Sequence, residues 1–467
     1  CAEKRMEIIP LVFSVGYGGS ALGFDPNLAV GHPVVGAPFV VAGGQALLKP
    51  DAALTVRNGG FEDDLTKAAG WDFSDKPGEL TRIDTDTKHS GRASYHFTAP
   101  GTLKLPHSRV MGTVTVHPQR RYRFTLWAKA EGLKPAGTFR VQIYGGKDGP
   151  HLVGADLPGA NYDWKRVTVE VNSGPYDRLR LYVGSWGGQA GEFWLDDVSV
   201  QEVGLCNLLR RDGCPLRVTS ADGATVYEEG RDYEPLLDKS PLSFGDRPDL
   251  PLKLTANSRL RDGQALSVSW YHAAQVASRQ VSVCMSVPRL YDYFDEVAAA
   301  LAKYLPAKQV LLSMDEIRQG GTDLADQQRG LTMGQILADC ITRQQTILRR
   351  HLPEVTCVIW SDMLDPGHNG HGDYYQVKGD WAGAVDGVPK DLVIACWWGE
   401  QCERSLKFFD DRGFRTLGAA YYDADDLEGS KRWLKALRAT PQAIGIMYTT
   451  WQDKYDLLPA FGDLVRP

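Results

Sequence analysis

Hydrophobic positions change their spacing twice along the chain. In residues 55–203 they alternate with polar ones over short runs, such as Tyr122-Arg-Phe-Thr-Leu-Trp-Ala, Phe139-Arg-Val-Gln-Ile-Tyr and Leu179-Arg-Leu-Tyr-Val. Gly, Pro, Asn and Asp turns separate them. Period-two runs bounded by turns predict half-buried strands, and a series of them predicts an antiparallel β-sandwich. From about residue 265 the texture differs. Strand-like apolar runs at 266–271, 310–314, 356–360, 392–397, 416–421 and 444–449 alternate with stretches of helical spacing at 290–304, 333–352, 405–411, 429–439 and 455–464. That alternation predicts a parallel sheet built from β-α units.

Upstream of the sandwich, residues 8–15 form one more apolar strand. A Gly-rich turn (Gly16, Gly18, Gly19) and a loop rich in Pro and Gly follow. With it the parallel sheet counts seven strands. The expected fold class is therefore α/β: a (β/α)8 TIM-like barrel whose first strand is missing from the chain, with an antiparallel β-sandwich domain inserted in an early loop, where such barrels accept additions. The expected boundaries are 1–50 for the first part of the barrel, 55–203 for the sandwich, 206–260 for an irregular connector with a hairpin around Asp222-Gly223, and 261–467 for the rest of the barrel.

Composition narrows the function. The 467 residues suffice for two or three domains, and 43% are apolar, enough for a large core. The net charge of −6 lacks the basic footprint of a nucleic-acid binder. No apolar run approaches the roughly 20 residues that span a bilayer. No signal peptide is visible. The opening Cys1-Ala-Glu-Lys-Arg reads as the tail of a helix, so sequence upstream is expected. Of the eight cysteines, Cys357 and Cys396 sit in strand-like runs as buried thiols, whereas Cys206 and Cys214 flank a polar loop and could pair.

Candidate chemistry gathers where the parallel strands end, which is where such barrels carry their catalytic residues. The run Val310-Leu-Leu-Ser-Met-Asp-Glu-Ile closes on two adjacent carboxylates, Asp315 and Glu316, followed by Arg318. Neighbouring side chains in a strand face opposite ways, so both carboxylates reach one pocket only if the strand ends or bulges there. A carboxylate pair is what glycosidic bond cleavage requires. Other strand ends supply Tyr17, Tyr271 and His272, then Trp360, Asp362 and Asp365, then His368 and Asn369. Trp397, Trp398 and Glu400 follow, then Tyr421, Tyr422 and Asp423, and finally Trp451. Singly, such residues cap helices or fill a barrel mouth; as a set they read as a substrate-binding rim. His368 and His371, beside Asp365 and Asp373, fit no familiar metal-ligand spacing and read as a polar loop.

Several of these stretches resemble family 20 glycoside hydrolases, the β-N-acetylhexosaminidases. Glu7-Ile-Ile-Pro-Leu-Val-Phe-Ser-Val-Gly-Tyr-Gly-Gly-Ser is similar to that family's first strand and turn. Val281-Ser-Val-Cys-Met-Ser-Val-Pro-Arg-Leu-Tyr resembles the approach to its catalytic strand, and Ser313-Met-Asp-Glu resembles its Gly-Gly-Asp-Glu. The resemblance covers residues 5–20 and 280–455. It departs at Leu11 and Tyr17, where the family has Glu and His, and at Ser313-Met314, where it has two glycines. It implies a relative within the wider superfamily, a retaining exo-glycosidase with a substrate-assisted mechanism and no catalytic cofactor. Glu316 would be the acid/base, and Asp315 would orient a 2-acetamido group that attacks the anomeric carbon. Trp360 resembles one of the family's pocket aromatics, Trp397, Trp398 and Trp451 would wall the sugar, Tyr421 or Tyr422 would bind the acetamido oxygen, and Asp362 and Asp423 would hold hydroxyls. Asn58-Gly-Gly-Phe-Glu, Trp71 and Phe193-Trp-Leu-Asp-Asp-Val-Ser-Val resemble the ends of galactose-binding-like carbohydrate-binding modules. That implies a structural Ca2+ through Glu62 and Asp197. The expected partner is an oligosaccharide or glycoconjugate, with no nucleic acid and no membrane span, and a glycan substrate places the protein outside the cell or in a periplasm. Two alternatives stand beside this reading. One is a glycosidase of other specificity, with Glu316 as acid/base and Asp362, Asp423 or Glu400 as nucleophile. The other is a catalytically silent glycan-binding protein.

Overall fold

The structure is a computed structural model and describes residues 6–101 and 107–466. Cys1-Ala-Glu-Lys-Arg, expected as a helix tail, lies outside the described residues. The chain forms two compact units. One is made of the chain up to Ala29 together with the chain from Ser282 onward; the other is Val30–Val281.

The discontinuous unit is organised by six short strands, β1 (Leu11–Val12), β2 (Gln309–Leu312), β3 (Thr356–Trp360), β4 (Val393–Cys396), β5 (Arg415–Ala419) and β6 (Ala443–Met447). They pair in chain order and every pairing is parallel, with registers such as Val12↔Leu312, Val310↔Cys357 and Ile394↔Thr416. Burial explains the apolar runs: all four residues of β4 are buried, as expected of a strand covered on both faces. One face gathers Val358, Trp360, Val393, Ala395 and Ala419 into a cluster, with Leu311, Leu417 and Met447 against it. Helices follow the strands: α1 (Pro288–Tyr304), α2 (Met333–His351), α3 (Cys402–Asp410), α4 (Glu428–Arg438) and α5 (Leu458–Val465). The start of α2 is written in its sequence. Thr332 and Gln335 form a reciprocal capping box, Gln335 N–H donating to Thr332 Oγ1 at 3.1 Å and Thr332 N–H to Gln335 Oε1 at 2.9 Å. Behind it Ile336, Leu337, Cys340, Ile341, Ile347 and Leu348 recur at helical spacing and are buried.

The unit Val30–Val281 holds three antiparallel sheets. Two five-stranded sheets make the sandwich. Their strands are Phe73–Ser74, His107–Thr115, Phe139–Gly145, His151–Asp156 and Arg178–Trp186 in one, and Thr81–Asp84, Ser94–Thr98, Arg121–Lys134, Tyr162–Asn172 and Ala190–Glu202 in the other. Their core includes Phe61, Tyr95, Phe97, Phe124, Phe139 and Phe193. Arg121 is buried too, donating to Cys206 O at 2.5 Å and pairing with Glu170, which also accepts from Arg123 Nε at 2.8 Å. Such buried pairs depend on every donor finding its acceptor.

The third sheet corrects the expected boundaries. The stretch expected as a Pro/Gly loop contains the twelve-residue strand Gly31–Ala42, antiparallel to Ala265–Ala273. Residues 266–271 are therefore not a strand of the parallel sheet. Leu266, Val268 and Trp270 are buried, and Ser267, Ser269 and Tyr271 are only partly so. That alternation marks a strand with one covered face. Residues 206–260 are not merely a connector: Arg217–Ser220, Val226–Tyr227 and Leu252–Lys253 join this sheet, the first two paired across the Asp222-Gly223 turn. The divisions fall at 29/30 and 281/282, not at 50 and 261. Cys206 and Cys214 are both buried thiols.

Candidate functional site

Strand β2 stops at Leu312, and the four residues that follow decide the site. Met314 turns inward and is buried. Glu316 takes a left-handed backbone, φ +48°, which L-residues seldom adopt. The chain thereby presents Asp315 and Glu316, neighbours in sequence, to one cavity of about 440 Å³. Every strand of the six-stranded sheet contributes to its lining near its C-terminal end. Leu11, Ser14 and Tyr17 come from β1 and the turn after it. Ser313, Asp315 and Glu316 follow β2, Trp360 ends β3, and Trp397 follows β4. Ala419 ends β5 and Tyr422 follows it, and Thr449 and Trp451 follow β6. Trp451 lies 6.4 Å from both Trp360 and Tyr422 by ring centroids, so aromatic faces surround the carboxylates.

The two carboxylates meet different surroundings. Glu316 Oε1 accepts from Arg318 Nη2 at 2.6 Å, and Glu316 Oε2 accepts from the Tyr17 hydroxyl. Burial, and then the Glu316 carboxylate itself, hold the Tyr17 hydroxyl protonated far up the pH scale, so it acts as a donor. Asp315 accepts from Ser313 Oγ at 3.1 Å, and burial lifts its carboxyl above the usual range, with the Glu316 charge adding to the effect.

Asp362 stands behind this pair rather than in the cavity. It is fully buried and ties three segments together. Its Oδ2 accepts from the Glu316 backbone N–H at 2.8 Å and from Asn369 Nδ2 at 2.9 Å, and its Oδ1 accepts from the Trp397 indole at 3.2 Å. Burial, and next the neighbouring Asp315, push its carboxyl up to about 7. Its expected contact with sugar hydroxyls is thus corrected: its acceptors are spent on protein donors.

Tyr17, Trp360, Trp397, Tyr422 and Trp451 are brought to the cavity as the strand-end rule expects, and Arg318 reaches it through Glu316. The others are placed differently. Tyr421 turns away, donating to Ala424 O at 2.7 Å and stacking on Tyr448 at 4.1 Å. Asp423 anchors the loop of Trp451: it accepts from Thr450 Oγ1 at 2.5 Å and from Trp451 N–H at 2.8 Å. His368 packs on Trp397 and Trp398 at 4.3 and 4.7 Å, and burial lowers it to about 4, which leaves a neutral ring. Asp365 is buried against Ser405 Oγ at 2.6 Å and Arg404 at 3.2 Å. Trp398 and Glu400 line a neighbouring cavity. His272 belongs to the other unit, buried in the third sheet, where Asn172 Nδ2 lies 3.0 Å from its Nε2 and Ala273 O lies 2.8 Å from its Nδ1. It is not a rim residue, because its strand is antiparallel and elsewhere. Ser14, Ser313 and Thr449 escaped the sequence reading, although each stands at a strand end as the named residues do.

The carboxylates expected to hold calcium are occupied by protein donors. Glu62 Oε1 accepts from Arg92 N–H at 2.7 Å and Ala93 N–H at 3.2 Å. Asp197 faces His89 Nδ1 at 2.6 Å and accepts from Ser90 Oγ at 2.9 Å. Calcium asks for six to eight oxygen ligands, and these two side chains as arranged instead tie the 89–93 turn to its neighbours. Among the described residues, the ligand atoms close enough to share a metal ion belong to buried Cys284, Asp323 and Asp326, which the sequence did not single out.

The sequence matches no protein-family model and no curated protein. Among solved structures, the chain is similar to TmCBM61 in complex with β-1,4-galactotriose, at 16% identity and a TM-score of 0.25, over 31% of this chain and 94% of that one. It is also similar to the CBM22-1 xylan-binding domain of Paenibacillus barcinonensis Xyn10C, at 15% identity and a TM-score of 0.26, over 33% and 95%. A third is the enzymatically active domain of bacteriophage CBA120 tailspike protein 4, at 15% identity and a TM-score of 0.24, over 32% and 21%. No helix among the described residues is long and apolar enough to cross a membrane.

Proposed function

We propose that the protein is a glycoside hydrolase whose reaction takes place in the cavity of Asp315 and Glu316, on a β/α barrel scaffold. One observation carries this: two carboxylates, adjacent in sequence, converge with aromatic side chains on one cavity that all six parallel strands help to line. Both edge strands of the sheet, β1 and β6, supply lining residues to that cavity, which favours a sheet curled towards closure. A carboxylate pair with flat apolar walls suits a pyranose ring, whose C–H faces pack on aromatics while its hydroxyls and leaving oxygen need polar partners.

The finer reading is a retaining, exo-acting enzyme for 2-acetamido sugars. Glu316 protonates the leaving oxygen and then activates water. Asp315 orients the substrate's acetamido group and stabilises the positive charge of the cyclised intermediate. A desolvated carboxylate gains most when a cation forms beside it, which suits the burial of Asp315. The alternative nucleophiles are less well placed. Asp362 is sealed behind the cavity, Asp423 anchors a turn, and Glu400 lines the neighbouring cavity. Asp315 and Glu316 are the carboxylates among the lining residues of the first cavity, which favours attack by a group on the substrate. The test is a panel of aryl glycosides together with a thiazoline mimic of the cyclised intermediate. Hydrolysis of N-acetyl-β-glucosaminides or galactosaminides but not of plain glucosides, with inhibition by the thiazoline, is the expected result. Hydrolysis without thiazoline inhibition would rule out substrate assistance.

A further inference from the structure

A second cavity, of about 500 Å³, adjoins the first: Trp397, Ala419 and Tyr422 line both. It lies over the C-terminal ends of β4 and β5, between the turn Gly399–Gln401 and the start of α4. Its remaining walls mix aromatic and charged groups, with Trp398 and Trp433 beside Glu400, Asp426 and Arg432. The approach is close at Gly399, where an added Cβ would lie 3.4 Å from the Trp433 indole nitrogen and 3.5 Å from Arg432 Nη2. Trp433 and Arg432 thus line the cavity within ordinary contact distance of Gly399.

We infer that this second cavity binds the sugar unit on the leaving-group side of the bond cleaved, so that the substrate is a chain of at least two sugars. This rests on the glycosidase reading of the first cavity. The two cavities share the parallel rings of Trp397 and Tyr422, whose planes differ by 10° with centroids 6.5 Å apart. A chain leaving the first cavity across those rings keeps an aromatic face beside it and enters the second at Trp398. The occupant is a neutral sugar. Glu400 and Asp426 outnumber Arg432 there, and Asp315 and Glu316 lie next door, so a uronic or sialic acid would meet repulsion, whereas hydroxyls find both acceptors and a donor.

The test measures binding of N-acetylglucosamine, its β-1,4-linked dimer and its trimer by tryptophan fluorescence at a pH where turnover is slow. The expected result is a gain of tenfold or more from monomer to dimer and little from dimer to trimer. Arg432→Ala, an exposed position, should erase most of that gain while leaving monomer affinity unchanged, and Trp398→Ala should also erase it. A monomer that binds with no gain on lengthening, or a gain that survives both substitutions, overturns the second site and leaves the first intact. Failure of all three sugars, and of N-acetylgalactosamine as well, to bind overturns both readings.

Discussion

Glu316 sits at φ +48° in a stretch with no glycine, and such a backbone costs on the order of 1–3 kcal/mol. The hydrogen bond from its N–H to Asp362 helps to hold it there. This link was not legible in the sequence. Asp362 was recognisable as a strand-end carboxylate, but only the fold reveals that it points backwards and not into the cavity. Glu316→Gln should lower turnover by about 10²–10⁴-fold, the usual worth of a positioned acid/base, measured on whichever aryl glycoside the wild type cleaves. The Asp362 carboxyl, raised to about 7 from 3.8, binds more protons in the folded state than in the unfolded state. Its contribution to stability is therefore greatest at low pH and is lost as pH rises towards 7, each tenfold difference in proton affinity between the two states being worth roughly 1.4 kcal/mol. Urea unfolding at pH 4.5 and pH 8 should show the stability difference between wild type and Asp362→Asn shrinking as pH rises. A difference that grows would contradict the assignment.

At the scale of elements, β2 to β6 and the helices α1 to α4 lie within a few residues of where hydrophobic spacing puts them, because buried parallel strands and amphipathic helices carry strong periodic signals. Residues 266–271 are the instructive exception. A short apolar run does not say which sheet it joins; its alternation did, and Ser267 and Ser269 were the clue. Gly31–Ala42 was hidden by Pro33 and Pro38, which read as loop punctuation but sit within a strand paired to Ala265–Ala273. Helix packing on the sheet depends on small residues. An added Cβ at Gly418 in β5 would lie 2.8 Å from the Trp433 ring of α4. Gly418→Ala is accordingly expected to cost about 1–3 kcal/mol by overpacking, read from the urea midpoint; an unchanged midpoint would mean that α4 yields freely.

Across the whole molecule, the sandwich core and the core of the third sheet draw all their residues from Val30–Val281. That segment should fold alone, giving a cooperative thermal transition. Because Glu62 and Asp197 are already occupied by N–H and O–H donors, a calcium chelator should leave that transition in place; a drop of several degrees would restore the calcium expected from the sequence. In the other unit, strand ends scattered from Tyr17 to Trp451 meet around two adjacent carboxylates, and the proposed glycosidase activity rests on that arrangement. That activity is tested most directly by incubating the full chain and its Glu316→Gln variant with 4-nitrophenyl N-acetyl-β-glucosaminide and galactosaminide and following nitrophenol release. The account predicts release by the wild type of at least one of them, reduced a hundredfold or more in the variant. Equal release by the two proteins would contradict it, and so would release by neither.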